Sequence, residues 1–482
     1  MAHGPIMTRA VCFASLAICA TARGGLPPAG QAWPRHQIDN FAFGADGLRV
    51  GDLNNDGRPD MITAWEASGQ VRIALNPGGC SATGPWQIGV VALVSYCEDS
   101  FAVDLDGDGR QDLVTCAEQG TKGVFVHWGP AHNGLLLNTG SWITQRFPQV
   151  PQRFWMYSVA AQIDGLHGPD LFIAAKSNSA DIPVEIAYLK APANARNIDE
   201  WTYHVIGLAG WTTTLIAHDM DGDGDTDLVV FDRLGERRGV RWLEHPGEDQ
   251  LILNLPWQEH RISSSMPATI GSMADIDGDG LLDVVVPVRP SGLYWCERLD
   301  ASGTKWEEHR IQIQAAVGIP KSASAGDINM DGLTDIVVSF AEATEGARGV
   351  VLFLNPGNPI WPYWPVYDIS GPEGQKYDAI PLIDIDGDGD LDVVATDEHD
   401  NASGAGLGLI WYRNPVINLS LDLDNDGWVG FGDLIVLLDY FGQHGHGLPP
   451  DFNRDGWVDF NDLNILLGSY GLFIGSLGCS DD

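Results

Sequence analysis

The decisive stretch is Asp384-Ile385-Asp386-Gly387-Asp388-Gly389-Asp390-Leu391-Asp392, DIDGDGDLD, followed by the β-forming run Val393-Val394-Ala395. Carboxylates stand at its positions 1, 3, 5 and 9, with a Gly after position 5. Like charges packed this closely repel one another unless a cation lies among them. Oxygen ligands at alternating positions on a tight Gly turn suit a hard cation such as Ca²⁺, with the position 7 carbonyl completing the ring. A single copy is also an ordinary Asp/Gly turn between strands. Recurrence decides between the two.

The same frame returns as GDLNNDGRPDMIT, VDLDGDGRQDLVT, HDMDGDGDTDLVV, ADIDGDGLLDVVV and GDINMDGLTDIVV, with a worn copy, AQIDGLHGPDLFI, in between. The position 1 residues are Asp52, Asp104, Gln162, Asp219, Asp275, Asp327 and Asp384, separated by 52, 58, 57, 56, 52 and 57 residues. Copies at a near-constant period of this length indicate a propeller or a solenoid. Ahead of the loops stands a strand of the type W-x-x-H-x-I, at Trp33, Trp201, Trp257 and Trp306, with looser forms at Trp86, Trp142 and Trp364. Behind them come strands ending in Asn-Pro-Gly-like turns. Each unit therefore has four strands, and seven units predict an all-β, seven-bladed propeller over residues 33–415. The Trp33–Ile38 strand precedes the first loop, and the last repeat ends at Tyr412 without a Trp strand. The reading therefore places Trp33–Ile38 as the outer strand of the seventh blade, beside Gly408–Tyr412, which removes a sheet edge.

These loops resemble the FG-GAP/VCBS repeat family of Ca²⁺-loop propellers. The resemblance implies a loop joining the first two strands of each blade and a structural Ca²⁺ within it. The implied ligands are Asp52, Asn54, Asp56 and Asp60 in the first blade and Asp104, Asp106, Asp108 and Asp112 in the second. They are Asp219, Asp221, Asp223 and Asp227 in the fourth blade, and Asp275, Asp277, Asp279 and Asp283 in the fifth. The sixth supplies Asp327, Asn329, Asp331 and Asp335, and the seventh Asp384, Asp386, Asp388 and Asp392. In the third blade Gln162, Asp164, Leu166 and Asp170 place an apolar residue at position 5, and no ion is expected there.

Residues 418–475 change character. LDLDNDGWVGFGDLIVLLDYFG and PDFNRDGWVDFNDLNILLGSYG are two copies of an EF-hand-like loop followed by an apolar helix. The first loop offers Asp422, Asp424, Asp426 and Asp433, and the second Asp451, Asn453, Asp455, Asp459 and Asp462. Gly at position 6 and a carboxylate at 12 match a Ca²⁺ loop, with Asp in place of the usual Glu. The pair resembles a type I dockerin, a small helical calcium-binding domain, which implies a cohesin-like partner. Phe431-Gly432 and Phe460-Asn461 stand where the family usually has a Ser-Thr-like pair. Leu438-Asp439 and Leu467-Gly468 stand where it has basic residues, so a different protein partner or an intramolecular one stays open. Together the loops imply about eight Ca²⁺, six in the propeller and two in the C-terminal module.

The chain has 482 residues and a formal net charge of −38. Eight Ca²⁺ would bring this to about −22, which still disfavours nucleic acid and anionic membrane as partners. Arg9 precedes the apolar run Ala10–Ala22, which ends in Ala20-Thr21-Ala22, an export signal with an A-x-A cleavage pattern over residues 1–22. An exported protein is expected, extracellular, periplasmic or at the cell surface, without a membrane span. Outside the signal the cysteines are Cys80, Cys97, Cys116, Cys296 and Cys479. Cys97 and Cys116 flank the second loop as either a cross-strand disulfide or two buried thiols.

His36, His204, His260 and His309 recur one per blade on the Trp strands, which argues for packing rather than a shared metal. His127, His167, His218, His245 and His399 break the repeat. No nucleophile elbow, phosphate loop or metalloprotease helix is present. The reading is a Ca²⁺-binding propeller for binding or assembly, its ligand a carbohydrate or surface protein. The alternative is a polysaccharide lyase or sugar dehydratase, marked by His, Tyr and Arg converging in a central pocket.

Overall fold

The computed structural model describes residues 30–470 except 252, 344–345, 375, 399–405, 416–420, 422, 425–427, 446–447, 453–456 and 469. The export signal, His399 and Cys479 lie outside the described residues. One compact unit covers Leu26–Val416 and a second covers Ile417–Ser476.

Among the described residues the first unit holds seven four-stranded antiparallel sheets. The first blade runs Ala45–Gly51, Asp60–Trp65, Gln70–Leu75 and Gln87–Leu93 in order, and the other blades repeat this meander. All seven second strands begin at the position 9 Asp, from Asp60 to Asp392. These strands are buried throughout, which explains apolar runs such as Val284-Val285-Val286 and Ile336-Val337-Val338 in place of alternation. In the seventh sheet Arg35–Asp39 pairs antiparallel with Gly408–Tyr412, with Arg35 opposite Tyr412 and His36 opposite Trp411. The architecture is an all-β, seven-bladed propeller.

The recurring Trp pins the turn before the outer strand. Trp86, Trp142, Trp201, Trp306 and Trp364 donate their indole N–H to Ala82, Leu136, Ala195, Gly303 and Pro359 carbonyls, at 2.7–3.3 Å. The position 6 residue of each loop lies in the left-handed region, with φ from 83° at Gly57 to 97° at Gly224. His167 occupies that place in the worn loop at φ 58°, a conformation costing a non-Gly residue about 1–2 kcal/mol.

Cys97 and Cys116 are two buried free thiols, not a disulfide. A bulge between Cys97 and Asp99 sets Cys97 opposite Ala117 and Asp99 opposite Cys116. The two thiols thereby enter different core clusters, because a one-residue offset turns side chains to opposite faces.

In the second unit helices Phe431–Tyr440 and Phe460–Gly468 begin at position 10 of their loops. Leu421, Val429, Leu437, Val458 and Leu466 form their common core. Among the described residues no helix is long and apolar enough to cross a membrane.

Candidate metal centres and the central channel

Each intact loop is built around its position 1 carboxylate. Asp104 accepts backbone N–H bonds from Gly107, Asp108 and Gly109 at 2.8–3.1 Å, and Asp275 does the same from Gly278, Asp279 and Gly280. Asp52, Asp219, Asp327 and Asp384 accept two such bonds each. The position 3 side chain caps the position 5 N–H, as Asn54 does for Asp56 and Asp221 for Asp223. Oxygens of Asp104, Asp106 and Asp108, and of Asp219, Asp221 and Asp227, come within 4.8 Å of one another. This oxygen-only donor set fits a hard divalent cation.

Position 9 has a second duty. Asp60 accepts Leu53 N–H on one oxygen and Asn76 N–H on the other, at 3.0 and 2.8 Å. Asp112, Asp227, Asp283, Asp335 and Asp392 repeat the pattern, and so does Asp170 in the worn blade, with Ile163 and Ala191. Burial pushes Asp60 and Asp170 to about 6, against the two N–H bonds that stabilise the charge. The periodicity marked this residue only as a ligand. Its retention in the worn copy, Asp170 without an acidic position 1 or 5, was the available signal of a structural clasp.

The loops differ in their basic neighbours. Arg58 pairs with Asp56, Arg110 with Asp108, and Arg196 with Asp106. Arg413 reaches Asp386 and Asp388 at 2.8 and 3.2 Å. In the third blade Lys190 Nζ lies 2.6 Å from Asp164, while the Gln162 amide donates to the Leu166 and Gly168 carbonyls. Among the described residues, Asp219, Asp221, Asp223, Asp275, Asp277 and Asp279 have no Lys or Arg partner. Of the loops with four carboxylates at the ligand positions, the fourth and fifth are thus the least compensated.

In the second unit Asp433 accepts N–H bonds from Leu423, Asp424 and Gly430, and Asp462 from Phe452 and Asp459. A Cβ at Gly432 would overlap the Asp424 carboxylate. Asp451 and Asp459 are half-buried. Asp422, Asp426, Asn453 and Asp455 lie outside the described residues.

The Trp-strand histidines stack on third-strand aromatics directly opposite them: His36 on Trp411, His204 on Tyr188, His260 on Trp242 and His309 on Trp295, with centroids 4.2–4.8 Å apart. His260 and His309 also bond Glu244 and Glu297. His127 is sealed between Thr115 and Thr144, where burial lowers its pKa to about 3. His245 bonds the Ile163 carbonyl.

His218 stands elsewhere. It lines a central cavity of about 440 Å³ with Arg49, Tyr157, Thr214 and Ser272, from the inner strands of three other blades and its own. Burial, then Arg298, depresses the His218 imidazole, keeping it neutral. Burial pushes the Tyr157 phenol up to about 12. Arg49 is bidentate on Asp99, at 2.9 and 3.1 Å, and lies 4.0 Å above the Tyr157 ring. Sequence reasoning did not find this group, because its members share no motif and meet only through ring geometry.

Solved structures similar to this chain include BBS1N in complex with ARL6DN, soaked with mercury, at TM-score 0.48 and 10% identity, covering 79% of this chain and 96% of that one. Another is YCF48 from Cyanidioschyzon merolae, at TM-score 0.44 and 11% identity, covering 80% and 99%. No curated protein matches the chain. The FG-GAP-like repeat profile matches residues 52–115, 219–286, 275–338 and 327–395, together half of the sequence. With its matched segments on loops and strands of successive blades, the chain belongs to the FG-GAP-like repeat family.

Proposed function

We propose that this is an exported, Ca²⁺-stabilised propeller that serves binding and assembly, with the C-terminal unit as its dockerin-like docking module. Six propeller loops and two C-terminal loops hold about eight Ca²⁺. The caged position 1 carboxylates support the propeller sites, and the Lys190 ammonium beside Asp164 stands in for a cation in the third loop. The Arg35–Asp39 ladder with Gly408–Tyr412 supports closure of the ring by the N-terminal strand.

One observation carries the docking role. Trp428 and Trp457, Phe431 and Phe460, and Leu438 and Leu467 occupy equivalent places in the two loop–helix copies, and all are 48–70% exposed. A duplicated apolar surface of this kind marks a protein-contact site. It faces a cohesin-like or other apolar protein surface, while carbohydrate is the proposed ligand of the propeller. Calorimetric titration of the full chain with type I cohesin domains, with and without EGTA, tests the docking, and a glycan array tests the ligand. Loss of binding in F431A/F460A supports the assignment; binding unchanged in that variant and in EGTA refutes it.

The second reading, a lyase or dehydratase acting on an acidic sugar, rests on the His218–Tyr157–Arg49 cavity. His218 would take a proton and Tyr157 would give one. It ranks second because Asp99 already compensates the Arg49 charge. Formation of an unsaturated uronate from acidic polysaccharides, lost in H218A, would reverse the order.

A further inference from the structure

The face where the inner strands begin, opposite the metal loops, carries charges the repeat does not require. In the first blade they are Asp46, six residues before Asp52, and Glu66, six after Asp60. The same two places hold Glu98 and Glu118 in the second blade and Asp378 and Glu398 in the seventh. The third, fourth, fifth and sixth blades instead supply Lys176, Arg233, Arg289 and Lys321. Three consecutive blades are acidic and the next four are basic. The channel mouth is divided by sign.

The acidic half is compensated by its own Lys376 and by Lys176 and Lys321 of the basic half. Against burial, Asp378 and Glu98 beside Asp46 depress its carboxyl, while burial, with the neighbouring Asp46 charge, raises theirs. Lys176 pairs with Glu98 and Glu118, Lys321 with Asp378, and Lys376 with Glu398. Carboxylate oxygens of Asp46, Asp378 and Glu398, and of Asp46, Glu66 and Glu98, lie within 4.8 Å of one another.

Of the four basic residues, Arg233 and Arg289 are not compensated in this way. The Arg233 guanidinium lies 3.7 Å over the Trp211 ring and has no ion pair among the described residues. Among the described residues Arg289 has a single, long ion-pair contact, 3.6 Å from the exposed Glu342. Burial and then the neighbouring Arg289 bring the Arg233 guanidinium down to about 10. Two guanidiniums from adjacent blades, one over an aromatic ring, suit an oxyanion. A ligand bearing only negative charge would meet the carboxylates of the facing blades, and one bearing only positive charge would leave Arg233 and Arg289 unrelieved.

We propose that this mouth binds a small amphoteric molecule, its carboxylate on Arg233 and Arg289 beside Trp211 and its ammonium toward the Asp46, Glu66 and Glu398 wall. The test is calorimetric titration of the full chain, in calcium-containing buffer, with glycine, 4-aminobutyrate and 6-aminohexanoate against butyrate and butylamine. At least one zwitterion should bind about 10-fold or more tightly than either singly charged compound, and R233Q and R289Q should each weaken it about 10-fold. Butyrate binding as tightly, no zwitterion binding to the wild type, or unchanged binding in both variants overturns the proposal. The comparison of ligands on the wild type stands even if a variant misfolds.

Discussion

The Asn76 side-chain amide donates to the Ile385 carbonyl at 2.9 Å, joining the first blade to the seventh across 309 residues of sequence. The same clip recurs as Asn355 to Ile276, Asn414 to Ile328 and His245 to Ile163, at 2.9–3.0 Å, and as Arg298 to Met220. In each case a residue at or just past the end of a third strand gives its N–H to its own position 9 Asp and its side chain to position 2 of the preceding loop. Clasp and clip therefore form one hydrogen-bonded belt on the Asp-loop side of the ring.

Breaking the belt where the ends of the ring meet should be costly. Asn76→Ala leaves the buried Ile385 carbonyl without this donor, for about 1–3 kcal/mol. Denaturant unfolding should show N76A and N355A destabilised alike. A neutral N76A would mean that strand pairing alone joins these blades.

The clasp can be separated from metal binding in the third blade. Asp170 holds the Ile163 and Ala191 N–H groups in a loop whose position 1 is Gln162 and position 5 Leu166. Asp170→Ala orphans two buried donors, at about 1–3 kcal/mol each. The loss should be the same with and without EGTA, and bound Ca²⁺ should not change on metal analysis. A destabilisation that vanishes in EGTA would make Asp170 a ligand.

The blades were legible because their determinants are local and periodic. Asp at alternating positions, Gly at a positive φ and a Trp pinned to its own turn each leave a mark at fixed spacing. What the sequence did not disclose depends on register across blades. Asp46, Lys321 and Arg233 belong to no motif and become neighbours only when the repeats are laid around one axis. The fate of Cys97 and Cys116 turned on a single bulged residue, which spacing does not encode.

Calcium should contribute most where the protein supplies least compensation. Asp221 and Asp277 have no Lys or Arg partner among the described residues, and burial and neighbouring carboxylates raise both pKa values. Removal of Ca²⁺ by EGTA should lower the melting temperature substantially, with about eight ions released. D221N and D277N should each lose one ion. Few ions and an unchanged melting temperature would make the loops Asp/Gly turns.

The channel mouth should leave a pH signature. Burial, then Asp46, raises Glu398 to about 8, against Lys321 and Lys376; burial, then Asp46, raises Glu66 to about 7. A carboxyl whose folded pKa lies above its unfolded value stabilises the fold at low pH, and that contribution is lost as pH rises from about 4.5 through about 8. Glu398→Gln stays neutral and cannot lose it. E398Q and wild type should therefore melt alike near pH 5, with E398Q the more stable near pH 9, both measured on metal-stripped protein in Ca²⁺-free buffer so that the loops bind no metal in either. A difference in melting temperature that stays constant with pH would place the Glu398 titration outside this range.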